Sequence, residues 1–166
     1  MGVTRRPDGA RTWRSSCVGD VIRNGSTLPH VLIIDDEPDG SDALAACLGR
    51  AGYSARCARS GREALSALID RLPDAILLDV RMPDMDGVEV LEVIRSYVRW
   101  AGVPIAMLTA YAEDPRLRHL AQLGVTRVFL KSKASLDELL EWVSEQAGRA
   151  TPPGGQDTPP APQAGV

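Results

Sequence analysis

A chain of 166 residues, 44% of them hydrophobic, has the length of one domain with some to spare and enough apolar side chains for an ordinary core. Its net charge of -3 argues against a protein built on an electrostatic nucleic-acid footprint. No apolar run reaches the roughly 18 residues of a membrane span. Cys17, Cys47 and Cys57 are odd in number and form no C-x-x-C pair, which suggests reduced thiols rather than a disulfide framework or a zinc site. The amino terminus lacks the apolar stretch of a signal peptide. These features together read as a soluble cytoplasmic protein with no nucleic-acid or membrane partner.

Residues 1–29 show no sustained apolar period and lean basic through Arg5, Arg6, Arg11, Arg14 and Arg23. They read as a disordered or loosely packed extension, and the Pro- and Gly-rich residues 149–166 read as a disordered tail, because neither offers apolar surface to offset ordering entropy. A domain over residues 30–148 lies between them.

Residues 30–35, reading His-Val-Leu-Ile-Ile-Asp, suit a parallel strand covered on both faces. A helix over 39–51 follows, with Asp39 or Ser41 as its cap and Gly52 just past its end. A weaker strand spans 53–58, and a helix over 61–71 buries Ala64, Leu65 and Leu68. Residues 74–79 repeat the buried-strand pattern. Val88, Leu91 and Ile94 or Arg95 keep helical spacing across 87–99, and 104–109 is a third apolar strand. Asp114 and Pro115 open a helix predicted to end at Gly124. A strand over 125–131 leads to a capping box, Ser135 with Glu138, and a last helix to about residue 147. This β-α rhythm calls for an α/β, doubly wound parallel sheet with helices on both faces.

Binding sites in such sheets lie at the carboxyl ends of the strands. Four strands end there in reactive residues: Asp35 with Asp36, Asp79, Thr109 and Lys131. Three carboxylates converging in one cleft repel one another unless a cation or raised pKa values relieve them. Hard oxygen ligands of this kind favour Mg²⁺. Asp79 has the chemistry of a nucleophile that forms an acyl phosphate, Lys131 that of a donor to a phosphoryl oxygen, and Thr109 carries a hydroxyl able to turn toward the phosphate. Taken singly, each also fits a plainer role: a helix cap, a Pro-Asp-Gly turn, a flanking hydroxyl, a solvated lysine.

Taken together, residues 31–37 (Val-Leu-Ile-Ile-Asp-Asp-Glu), 77–87 (Leu-Leu-Asp-Val-Arg-Met-Pro-Asp-Met-Asp-Gly), 107–110 (Met-Leu-Thr-Ala) and 124–131 resemble the receiver domain of two-component response regulators, of the stand-alone chemotaxis type. The resemblance implies a five-stranded flavodoxin-like sheet of order 2-1-3-4-5. It implies that Asp79 takes a phosphoryl group from a histidine kinase or phosphotransfer protein, so that the chain is a phosphoacceptor rather than a conventional enzyme. It implies Mg²⁺ held by Asp36, Asp79, Asp35 (directly or through water) and the main-chain carbonyl of Arg81, with Thr109 and Lys131 sensing the phosphate. Ala110 is small, as an open approach to Asp79 requires.

Two positions depart from that pattern. Val128 stands where a switching aromatic is usual, and Phe129, one residue on, should face the other way. Ser132 replaces the usual proline, so a cis peptide there is not assured. Arg81 and Tyr111 occupy positions that influence phosphate loss in the family, and covering the phosphoryl group would slow water attack. Output is expected through a protein contact with a downstream target, for which Trp142 is either an exposed anchor or a residue rimming the core. Two alternatives to this reading are an adapter that no longer cycles through phosphate, and a haloacid-dehalogenase-type phosphatase. The latter wants Asp-x-Asp, where residues 35–37 read Asp-Asp-Glu, and leaves the Asp79 motif unexplained.

Overall fold

Five apolar runs assemble into one parallel sheet: β1 (His30–Ile34), β2 (Ser54–Ala58), β3 (Ala75–Asp79), β4 (Ile105–Thr109) and β5 (Arg127–Leu130). The strand order is β2-β1-β3-β4-β5, as the resemblance implies. Every residue of β1, β3 and β4 is buried, which is why these runs show no polar alternation, whereas the edge strands β2 and β5 are partly open. The computed structural model describes residues 22–23 and 26–148. The unstructured ends expected from the sequence therefore lie largely outside the described residues. Within the amino-terminal stretch, Ile22–Arg23 pairs antiparallel with Ser26–Thr27.

Strand alternation sends side chains into two cores. Leu32, Ile34, Ile76, Leu78 and Met107 meet α2 (Gly61–Asp70) and α3 (Gly87–Ser96) on one face. Val31, Ile33, Leu77, Leu108 and Phe129 meet α1 (Pro38–Arg50) and α4 (Leu136–Ala147) on the other. The chain runs from β1 outward to β2 and returns across β1 to β3, so the switch point lies between β1 and β3. Among the described residues no helix is long and apolar enough to cross a membrane.

Several local expectations change. The cap of α1 is neither Asp39 nor Ser41 but Glu37, whose side chain makes no capping bond, with Pro38 opening the helix. Ser41 lies inside the first turn, 1% exposed, and its hydroxyl donates to Glu37 O at 2.8 Å. Helix α3 stops at Ser96 rather than near residue 99, because Tyr97 leaves the helical region at φ -97° and ψ 119°. The segment after Asp114 forms only a 3-10 helix, Pro115–His119, and then turns to Gly124, which has φ +69°. Leu117, Leu120 and Leu123 are spaced by three, the 3-10 repeat, and all three pack on the core.

Arg95 secures that irregular segment. Its guanidinium donates to Leu123 O (2.8 Å), Gly124 O (3.0 Å), Ala101 O (3.0 Å) and Val103 O (2.9 Å), tying two loops to the end of α3. Trp142 is 5% exposed, packs edge-on against Phe129 with ring centroids 6.3 Å apart, and donates from Nε1 to Thr126 Oγ1 at 3.2 Å. It belongs to the core, which overturns the exposed-anchor alternative.

Candidate phosphoacceptor site

Asp35 and Asp36 follow β1 directly, and Asp79 is the last residue of the adjacent β3. Their carboxylate oxygens lie within 4.8 Å of one another, with Asp35 and Asp79 buried and Asp36 the most open. Asp35 Oδ1 accepts from Glu37 N at 2.9 Å, which fixes the carboxylate against the entry to α1. Arg81 N approaches Asp79 Oδ1 at 3.4 Å.

Lys131, just beyond β5, bridges the two buried acids: Nζ is 2.8 Å from Asp35 Oδ2 and 3.2 Å from Asp79 Oδ2. Burial foremost, and the neighbouring Asp35 charge, push the Asp79 carboxyl above the ordinary carboxylate range, with Lys131 acting against them. Burial alone would lower Lys131, yet the hydrogen bond to Asp35 and the charges of both acids raise it overall. One ammonium thus faces three crowded carboxylates, a surplus of negative charge confined to the sheet edge.

The loop after β3 is shaped to leave Asp79 at that edge. Met82 and Met85 pack into the core beside α2 and α3. Asp86 caps α3 in a capping box with Glu89, and Gly87 N donates to Val80 O at 2.9 Å. Any Cβ on Gly87 would collide with the main-chain carbonyl of Asp79. The Pro-Asp-Met-Asp-Gly run is therefore a turn, as its composition suggests, and it also brings a helix terminus against the acidic residue.

Thr109 ends β4 at 2% exposure, and its hydroxyl is engaged with the main chain of Tyr111: Tyr111 N donates to Oγ1 at 3.1 Å, and Oγ1 donates to Tyr111 O at 3.2 Å. Lys131 N donates to Thr109 O at 2.7 Å, so the two residues are neighbours through the backbone. Val128 is 41% exposed and Phe129 only 3%, on opposite faces as alternation requires. No cis peptide occurs among the described residues, at Ser132 or elsewhere.

Sequence reasoning took Asp114 only for a helix cap. Its Oδ1 does accept from Arg116 N at 3.1 Å, but its Oδ2 also accepts from Arg81 Nε at 3.0 Å, with the carboxylate 2% exposed. The Arg116 amide foremost, and then Arg81, hold its carboxyl below the usual range against the cost of burial. The Arg81 guanidinium lies 4.4 Å from the Tyr111 ring centroid. An acid five residues after a strand-end threonine gives no sequence sign that it reaches across to another loop.

A five-stranded doubly wound sheet with three clustered acids and a lysine at its carboxyl edge defines a flavodoxin-like fold of the kind shared by response-regulator receivers. The family model described as "Response regulator receiver domain" matches residues 31–144, and the chain belongs to that family, the receivers of two-component systems. Regulatory protein AtoC of Escherichia coli is 38% identical over 69% of this chain and 24% of its own length. Response regulator MprA of a Mycobacterium species (strain KMS) is 33% identical over 78% of this chain and 55% of its own. The chain thus spans about half or less of these curated relatives. Among solved structures, chemotaxis protein CheY4 of Vibrio cholerae aligns with a TM-score of 0.67 at 28% identity, covering 72% of this chain and 99% of that one. A response regulator receiver protein from Pseudomonas putida aligns with a TM-score of 0.68 at 27% identity, covering 72% and 98%.

Proposed function

We propose that this chain is a phosphorylation-switched signalling protein whose receiver unit, residues 30–148, accepts a phosphoryl group on Asp79 from a histidine kinase or phosphotransfer protein. The observation that carries this reading is the Lys131 ammonium bridging Asp35 and Asp79 within a cluster of three carboxylates. The donor set suits Mg²⁺: the oxygens are hard, close together and charged beyond what Lys131 neutralises. Asp35, Asp36, Asp79 and the Arg81 carbonyl would hold the ion, which when bound supplies positive charge for the carboxylates and the phosphoryl oxygens.

The chain's own residues do the rest. An Asp79 carboxylate oxygen attacks phosphorus, the P–N bond to the donor imidazole breaks, and the imidazole leaves with the electron pair. Lys131 transfers hydrogen bonding from the carboxylates to a phosphoryl oxygen. Thr109 releases the Tyr111 main chain and turns its hydroxyl toward the phosphate. The new charge then changes the loops around the site and the contact made with a downstream protein.

Incubation of the purified chain with Mg²⁺ and acetyl phosphate, followed by intact-mass measurement, tests this reading. One phosphoryl adduct, stable in acid, labile in base and lost in Asp79→Asn, is expected. No adduct with acetyl phosphate or a phosphorylated kinase would overturn it.

A further inference from the structure

Arg81 and Tyr111 stand on separate loops, two residues past the buried Asp79 and two past Thr109, and each side chain is about half exposed. A long arginine in such a place ordinarily samples many rotamers, and ordering it costs entropy. Here two contacts restrain its guanidinium: the Asp114 carboxylate at 3.0 Å and the Tyr111 ring centroid at 4.4 Å. Asp114 is itself fixed by the Arg116 amide, and Arg116 Nε reaches back to Asp86 Oδ2 at 3.5 Å, a second pairing between the same two loops. A buried anion facing a half-exposed cation is the geometry in which a pair gains from partial desolvation on one side without leaving the arginine stranded.

We propose that Asp114 is a positioning residue that clamps Arg81 against Tyr111 across the two loops flanking Asp79, and thereby prolongs the life of the aspartyl phosphate. The inference rests on phosphorylation at Asp79. Loss of the phosphoryl group requires a water oxygen to bond phosphorus in line while the P–O bond to Asp79 breaks. The carboxylate regains the electron pair, and the water proton passes to solvent or phosphate. A fixed guanidinium–ring pair at the rim narrows the approach of that water, and a mobile pair does not.

Asp114→Asn separates this role from capping, since its carbonyl oxygen can still accept from Arg116 N while the charge facing Arg81 is gone. With the full chain phosphorylated by acetyl phosphate and then freed of donor, Asp114→Asn is expected to shorten the phosphoryl half-life by about three- to tenfold. Arg81→Ala should do the same, and the double variant should be no faster than Arg81→Ala alone. Asp114→Glu should restore part of the lifetime. An unchanged half-life in Asp114→Asn, or rate effects that multiply in the double variant, would overturn the proposal. So would an Arg81 Nε–H that exchanges freely in the NMR spectrum of the parent chain, a measurement that needs no phosphate. Absence of any adduct in the parent would instead remove the phosphoacceptor reading, and this inference with it.

Discussion

Gly87 and Asp79 meet backbone to backbone: a Cβ on Gly87 would collide with the Asp79 carbonyl oxygen and crowd Val80. The contact places the start of α3 against the residue that carries the chemistry, so its effect reaches both stability and function. Neither obstacle is a flexible side chain that could swing away. Gly87→Ala should therefore cost roughly 3 kcal/mol, read from urea unfolding, and should slow adduct formation. A stability loss below about 0.5 kcal/mol would show that the loop can retreat.

His30 sits at the far end of β1 from the acids, and its titration is independent of them. Burial first, then the Arg71 charge, lowers its pKa from the ordinary 6.5, while Nδ1 lies 3.2 Å from Ser54 O. The folded chain thus favours the neutral ring. As pH falls through 6.5 toward the lower folded value, the unfolded chain binds a proton that the folded chain refuses, so stability falls with pH across that window. Unfolding measured at about pH 7.5 and about pH 5.5 should show that loss, and His30→Asn should flatten it. An equal slope in the variant would assign the effect elsewhere.

The three central strands and the acidic site were legible because buried parallel strands are mostly apolar and give way abruptly to Asp35, Asp79 and Thr109, while Lys131 follows the partly open edge strand β5. The 3-10 segment was not, since Pro115 and a run of leucines satisfy the start of either helix type. Only its packing, with Arg95 binding the Leu123 and Gly124 carbonyls, decides between them. The Asp114–Arg81 pair was hidden for a related reason: its partners are 33 residues apart and meet only when two loops are placed side by side.

Trp142 shows the same limit at the level of one side chain. On a helical wheel it lies beside the apolar stripe of α4, which leaves its exposure undecided. Phe129 and the Thr126 hydroxyl fix it inward. Trp142→Ala should cost about 3–5 kcal/mol in unfolding experiments, the range for large aromatic truncations. Thr126→Val should cost about 1 kcal/mol, since it removes the hydroxyl that accepts from the indole N–H and donates to Ile105 O at a partly exposed position. A loss below about 1 kcal/mol for Trp142→Ala would return the residue to the surface.

The crowding of acids around Lys131 predicts a stability pattern opposite in sign to that at His30. Burial and Asp35 raise the Asp79 carboxyl above 3.8, so the folded chain holds that proton more tightly than the unfolded chain does. Stability from this group is fully present below 3.8 and is lost as pH rises through the raised folded value, which leaves the ionised site a liability near neutrality. Asp79→Asn should therefore be more stable than the parent at about pH 7, with the gain vanishing in acid. Mg²⁺ should stabilise the parent by about 2.7 kcal/mol at a hundredfold excess over its Kd, and do so far less for Asp79→Asn or Asp36→Asn. A chelator should reverse the effect. Equal stabilisation of parent and variants by Mg²⁺ would place the ion somewhere other than among Asp35, Asp36 and Asp79.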